Sequence, residues 1–187
     1  LILAPLLCPP AWASEDPEIR SIKADFIQEK ELKILKNPLV SRGLFLYGAP
    51  DSIRWEYFAP TKSVVLFHRG KGRRFTWNRE EWVEDPGFRP EVMELVCGEM
   101  RNWLSGGAKE SDRFKAETMA TDPAVVRLTP LDEGLSAFIK TIIVKHADRR
   151  GIIREIEIIE SSEATTRFIF NQVKINGPLP EGAFEAP

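Results

Sequence analysis

The sequence predicts a mainly β fold with little helix: a strongly curved antiparallel sheet of about eleven strands, with one helix covering its dry face. Three observations lead there. Apolar residues recur at every second position over most of the chain, most cleanly where Ile53, Trp55 and Tyr57 alternate with Arg54 and Glu56. The runs are separated by short turn-forming stretches such as Ala49-Pro50-Asp51, Asp122-Pro123, Gly134 and Gly151, and short turns join antiparallel neighbours. Only one stretch, Pro90 to Leu104, keeps helical spacing over several turns. A sheet this long must curl or close to manage its edges.

The elements follow in chain order. Leu1 to Ala13 carries no charge and closes on Ala11-Trp12-Ala13, a small-x-small pattern that signal peptidase accepts. Residues 1–13 are therefore expected to be a truncated secretory signal, with a mature chain from Ser14 forming one domain over 14–187. Cys8 has a rival reading as a lipid-modified residue, but Leu7 before it is not small. Asp16-Pro17-Glu18 predicts a short helix with Ile19 and Ile22 on one side. From Lys23 the pattern is a strand, with Ala24, Phe26 and Gln28 on one face and Asp25 and Glu29 on the other. Leu39–Tyr47 follows, then the Ile53 run, then Ser63–His68, Arg73–Asn78 and Glu81–Glu84.

The helix at Pro90–Leu104 has a polar stripe of Glu91, Glu94, Gly98, Arg101 and Ser105. Val92, Leu95, Val96, Met100, Trp103 and Leu104 cover most of the rest of its circumference, and Gly106-Gly107 ends it. Cys97 lies on this helix, where a buried structural thiol is expected. Five strands complete the chain: Phe114–Met119, Val125–Thr129, Phe138–His146, Ile152–Ile159 and Thr165–Ile175. Ile152, Ile156 and Ile158 against Glu155 and Glu157 predict a dry concave face and a wet convex one.

Composition excludes several functions. Lys+Arg 26 against Asp+Glu 28 leaves a net charge of -2, which argues against a nucleic-acid binder. Two Cys and two His offer few ligands for a soft metal, and no metal or cofactor is expected. There is no HExxH, GxSxG or P-loop, and Gly70-Lys71-Gly72 is a hairpin tip rather than a dinucleotide turn. No enzyme chemistry is expected. A basic cluster of His68, Arg69, Lys71, Arg73, Arg74 and Arg79 has two readings. It is a solvated hairpin, or Arg69, Lys71, Arg73 and Arg74 dock to an acidic partner or to lipid headgroups.

The apolar face supplies a binding hypothesis. Ile53, Trp55, Tyr57, Val64 and Leu66 would line one half of a cavity, and Ile142, Ile156, Ile158, Phe168 and Phe170 the other. Val92, Val96, Met100 and Trp103 would face it from the helix. Each alone is also explained by core packing. Together they exceed what one helix of that length can cover.

Several anchors resemble the periplasmic outer-membrane lipoprotein carrier (LolA) superfamily. They are Ala24-Asp25-Phe26-Ile27-Gln28, the run SRGLFLYGAPDSIRWEYFAP from Ser41 to Pro60, and Val126-Arg127-Leu128-Thr129-Pro130. Thr165-Thr166-Arg167-Phe168-Ile169-Phe170 and Leu179-Pro180-Glu181-Gly182-Ala183-Phe184 complete the set. The resemblance implies an incomplete antiparallel β-barrel with a helical lid over a hydrophobic cavity. It implies a periplasmic carrier taking acylated lipoproteins from an inner-membrane release complex to an outer-membrane receptor. A monomer is expected. Family carriers commonly have an Arg before the Pro that precedes the Trp strand, where it bonds to the lid; here that residue is Ala49. Arg54 is no substitute, because its alternation points it to the wet face. Three functions follow: a carrier of acylated lipoproteins or another acylated lipid, an outer-membrane-anchored acceptor of similar fold, and an enzyme on a lipid substrate.

Overall fold

Alternating side chains resolve into one sheet in the computed structural model, which describes residues 18–88, Glu99, 111–147 and 152–187. The first six strands are β1 (Ser21–Glu31), β2 (Leu39–Gly48), β3 (Ser52–Ala59), β4 (Ser63–His68), β5 (Lys71–Trp77) and β6 (Trp82–Glu84). The other five are β7 (Phe114–Thr121), β8 (Ala124–Pro130), β9 (Ile139–His146), β10 (Ile153–Glu160) and β11 (Thr165–Ile175). Their spatial order is β6-β5-β4-β3-β2-β1-β11-β10-β9-β8-β7. Every pairing is antiparallel. The sheet is thus two meanders joined along a single seam, β1 against β11, with Phe26 opposite Phe170 and Gln28 opposite Phe168. Among the described residues β6 and β7 remain as free edges, so the sheet is open.

The sheet is curved. Strands β3 and β11 are separated by β2 and β1, so a flat sheet would hold them roughly 14 Å apart. Yet the rings of Trp55 on β3 and Phe168 on β11 have centroids 4.8 Å apart. Curling brings the concave side chains of both meanders into one core, which includes Phe26, Phe45, Ile53, Phe114, Ile142 and Val144.

Three local predictions need correction. Glu18–Arg20 has no regular secondary structure, and Ile22 belongs to β1 rather than to an opening helix. In β10 the core residue is Ile153, not Ile152, because a register shift between Ile153 and Glu155 moves the alternation by one position. A single-turn helix, Glu133–Ser136, stands where only a turn was expected; Asp132 caps it by accepting from the Leu135 N–H. The helix expected over 90–104 lies outside the described residues, apart from Glu99, which is helical and buried.

The convex face differs between the two meanders. Over β9, β10, β11 and β1 it is charged, with Lys145 on Glu155 at 2.7 Å and Arg167 on Glu29 at 3.3 Å. Over β2 to β6 it is partly apolar and covered. Val64, Leu66 and Phe75 form a second small core with Trp82. Residues after β11 cross this face: the Phe184 ring stacks on His68 at 5.8 Å, and Arg54 donates to the Glu185 carbonyl at 3.1 Å. Arg54 also holds Glu56 at 2.7 Å, so it faces outward as expected but is not freely solvated.

Candidate functional site

The concave face hollows at one end of the seam. Trp55 on β3 stands opposite Phe45 on β2 and Val65 on β4. Three phenylalanine rings meet it edge-on: Phe45 at 5.1 Å, Phe26 at 5.5 Å and Phe168 at 4.8 Å. Phe26 reaches Tyr57 at 5.2 Å by passing over Gly43, the residue opposite Tyr57. A Cβ at Gly43 would lie 2.7 Å from the Phe26 ring and 1.8 Å from the Glu56 carbonyl oxygen, so only glycine fits.

Beyond these rings lies a cavity of about 400 Å³. Its walls are Trp55, Tyr57, Gln28, Ile139, Ile158, Thr166 and Phe168, and Lys30, Ala137, Phe138, Glu160 and Ser162 complete the lining. Polar groups in it are few and mostly paired. The Tyr57 hydroxyl donates to Gln28 Oε1 at 2.7 Å, and Lys30 Nζ donates to Glu160 Oε1 at 2.9 Å. Thr166 donates to the same oxygen at 3.4 Å. Burial pushes the Tyr57 phenol well above its usual range, against the opposing charge of Arg74, so it stays a neutral donor. Burial also acts to raise the Glu160 carboxyl. Lys30, by hydrogen bond and charge, outweighs that with Ser162 and Thr166 and holds the group below the usual carboxylate range. One polar atom of the lining is both buried and unpaired. Trp55 Nε1 is buried with no hydrogen-bond partner among the described residues.

The structure sorts the residues expected from sequence. Ile53, Trp55, Tyr57, Ile142, Ile156, Ile158, Phe168 and Phe170 all share the concave face. Trp55, Tyr57, Ile158 and Phe168 line the cavity, while Ile53, Ile142 and Ile156 are fully buried beneath it. Val64 and Leu66 are on the opposite face, paired across to Glu56 and Arg54; Val65 and Phe67 take the concave positions instead. Val92, Val96, Met100 and Trp103 lie outside the described residues. Lys30, Thr166 and Glu160 were missed. Lys30 and Thr166 have the parity of Gln28 and Phe168, but a charged or hydroxyl residue on an apolar strand reads as its end rather than as a lining.

The basic cluster does not form one patch. Arg69 and Gly70 make the β4–β5 turn with positive φ angles of 51° and 73°. Arg73 is bound by Glu84 through two hydrogen bonds of 2.8 and 2.6 Å and lies 4.7 Å over the Phe75 ring on the convex side. Arg74 alternates to the other face, opposite Val65, and acts on Tyr57. His68 Nδ1 is bonded to the Ser52 hydroxyl at 2.7 Å. Arg69 and Lys71 remain exposed without ion pairs among the described residues.

An open antiparallel half-barrel with an aromatic hollow on its concave side is a cavity-bearing β fold. Residues 17–187 match the family described as outer membrane lipoprotein carrier protein LolA, and the chain belongs to that family. An outer-membrane lipoprotein carrier protein of Dechloromonas aromatica is 26% identical over 172 residues, covering 89% of this chain and 76% of the relative. One from Coxiella burnetii is 24% identical over 151 residues, covering 78% of this chain and 66% of the relative. Among solved structures, the Pseudomonas aeruginosa MucA/MucB complex aligns with a TM-score of 0.51 at 13% identity, covering 89% of this chain and 56% of that one. At that identity the likeness concerns the fold alone. Family membership supports a lipoprotein-carrier role. Among the described residues no helix is long and apolar enough to cross a membrane.

Proposed function

We propose that this protein is a periplasmic carrier that holds the acyl chains of lipoproteins in the concave cavity and ferries them from the inner to the outer membrane. The observation that carries the reading is the cavity of about 400 Å³ walled by Trp55, Tyr57, Ile158 and Phe168. Burying acyl chain is worth ~0.8 kcal/mol per methylene, so a partly filled hollow gives useful affinity without rigid enclosure. An inner-membrane release complex and an outer-membrane receptor are the partners this reading requires. No step of it needs a catalytic group, which favours it over a lipid-directed enzyme. An anchored acceptor of similar fold would use the same cavity and differs only in how the protein is held at the membrane.

A fluorescent acyl probe is expected to bind saturably and to quench tryptophan emission. Trp55→Glu is expected to weaken binding by at least about tenfold, because a carboxylate in a dry cavity is costly to desolvate. Lys115→Glu, at an exposed position of β7, is expected to leave affinity unchanged. Absence of saturable binding, or an equal effect of the two substitutions, overturns the cavity assignment.

A further inference from the structure

We infer that one end of the sheet is a docking surface for a phospholipid bilayer, with the β1–β2 connection as the part that enters it. The inference goes beyond the carrier reading and does not depend on what the cavity holds. The strand registers define this end. Leu39 at the start of β2 lies opposite Lys30 near the end of β1, and Ala59 at the end of β3 lies opposite Arg42. Across the seam Glu31 meets Thr165, and Ile139 at the start of β9 meets Glu160 at the end of β10. The β1–β2, β3–β4, β8–β9 and β10–β11 connections therefore emerge together. Most of the large apolar side chains that stay exposed among the described residues gather here. Ile34, Leu35 and Leu39 stand around the β1–β2 connection, Phe58 near the end of β3, and Leu131 and Phe138 in the β8–β9 connection. Phe138 also lines the cavity, so the hollow extends to this end.

Single exposed apolar residues are ordinary, but a cluster around one end marks a contact surface. Ile34 is the most exposed of them, at 89%. Its loop is held in place: the Leu35 N–H donates to the Leu32 carbonyl at 2.9 Å, and Lys33 pairs with Glu163 of the β10–β11 turn. The surrounding charges select the partner. Leu32 to Pro38 contains Lys33 and Lys36 and no acid. Lys36 there and Lys62 in the β3–β4 connection are exposed and without ion pairs among the described residues. Glu160 and Glu163 are already neutralised by Lys30 and Lys33. Asp132 and Glu133 flank Leu131, so the cationic side of the contact is at the β1–β2 connection. Apolar tips beside free ammonium groups on flexible stems suit an anionic bilayer. The tips enter the acyl region while the lysines stay at the phosphates. A protein partner would want one contiguous apolar core to its contact, whereas these side chains stand on separate connections with polar residues between them.

The test is co-sedimentation with vesicles of phosphatidylcholine in which about one lipid in five is phosphatidylglycerol. The wild-type protein is expected to sediment with them. Ile34→Asp combined with Leu35→Asp is expected to lower partitioning by about tenfold or more, with an unchanged thermal melt. Two controls lie at the opposite end of the sheet. Met119→Asp alters an exposed apolar side chain near the β7–β8 turn, and Arg69→Glu with Lys71→Glu reverses the charge of the β4–β5 turn. Both are expected to leave partitioning within about twofold, being beyond a screening length from the contact. A second readout reports insertion directly. Ile34→Trp is expected to gain blue-shifted emission on adding vesicles, and that emission is expected to be quenched by lipid brominated in its acyl chains. Met119→Trp is expected to show neither change. Failure of the wild type to sediment, a double variant that sediments as well as wild type, or Ile34→Trp emission indifferent to vesicles overturns the inference. So does a loss of partitioning in Arg69→Glu with Lys71→Glu that equals the loss expected at Ile34 and Leu35, which would move the contact to the β4–β5 turn. A wild-type dimer that Ile34→Asp dissociates, with no vesicle binding, overturns it in favour of a second copy of this chain.

Discussion

At the scale of single residues, the cavity depends on an absence of side chain as much as on its rings. Gly43 lets Phe26 lie between β1 and Tyr57, and the Glu56 carbonyl sits where a Cβ would be. Backbone cannot retreat as a flexible side-chain end can. Gly43→Ala is therefore expected to force β2 from β3 at a cost of about 3 kcal/mol, the upper part of the range for overpacked cores. For a chain of this size that lowers Tm by roughly 6–12 °C, readable in a thermal melt. The acyl probe is expected to weaken in parallel, because Phe26 also supports Trp55 at 5.5 Å.

At the scale of elements, β4 shows how far alternation carries and where it stops. Its bounds, Ser63–His68, coincide with those the sequence predicts, as do those of β11. Its face does not. The run Val64-Val65-Leu66-Phe67 has no polar residue to set its phase, because both sides are covered: the concave one by the main core and the convex one by Phe75 and Trp82. Neighbouring β3 is legible because Arg54 and Glu56 mark its outer side. In β10 the phase is marked by Glu155 and Glu157, but the register shift beside Ile153 is not written in any residue type. The single turn Glu133–Ser136 is too short to show a helical period. The aromatic wall was legible, whereas the rim was not, since Lys30 and Glu160 look solvated until the sheet curls and pairs them. The face assignment of β4 has a direct check. Leu66→Ala is expected to cost about 2–4 kcal/mol by opening the outer core, yet to leave acyl-probe affinity within about twofold. A large loss of affinity at normal stability would return Leu66 to the cavity.

At the scale of the whole molecule, the two meanders are held to each other by the β1–β11 ladder and by the ion pairs that straddle it. Lys30 on β1 reaches across to Glu160 on β10, and Arg167 on β11 reaches Glu29 on β1. The Glu160 carboxyl is held below its ordinary value of 4.5, so it binds a proton more readily in the unfolded chain than in the folded one. Its contribution is present above that value and is lost as the pH falls through the lowered one. Being about a third exposed, the pair is screened by solvent, and the contribution is modest. Glu160→Gln is expected to be slightly less stable than wild type at pH 7, and that gap is expected to close as the solution is taken well below pH 4.5. Melting curves of both proteins across that window read it, and a gap that stays constant would mean that Glu160 acts by packing alone. The seam also sets an order of events in biosynthesis. β1 is the earliest strand to emerge, but its partner across the seam is the last, and Ile22 waits for Ile175. Until then each meander has a bare strand edge and half of an aromatic core. A chain delivered in order from one end therefore cannot close this seam until β11 has been delivered. Throughout that interval the unpaired edge of β1 is the surface that most needs protection from other chains.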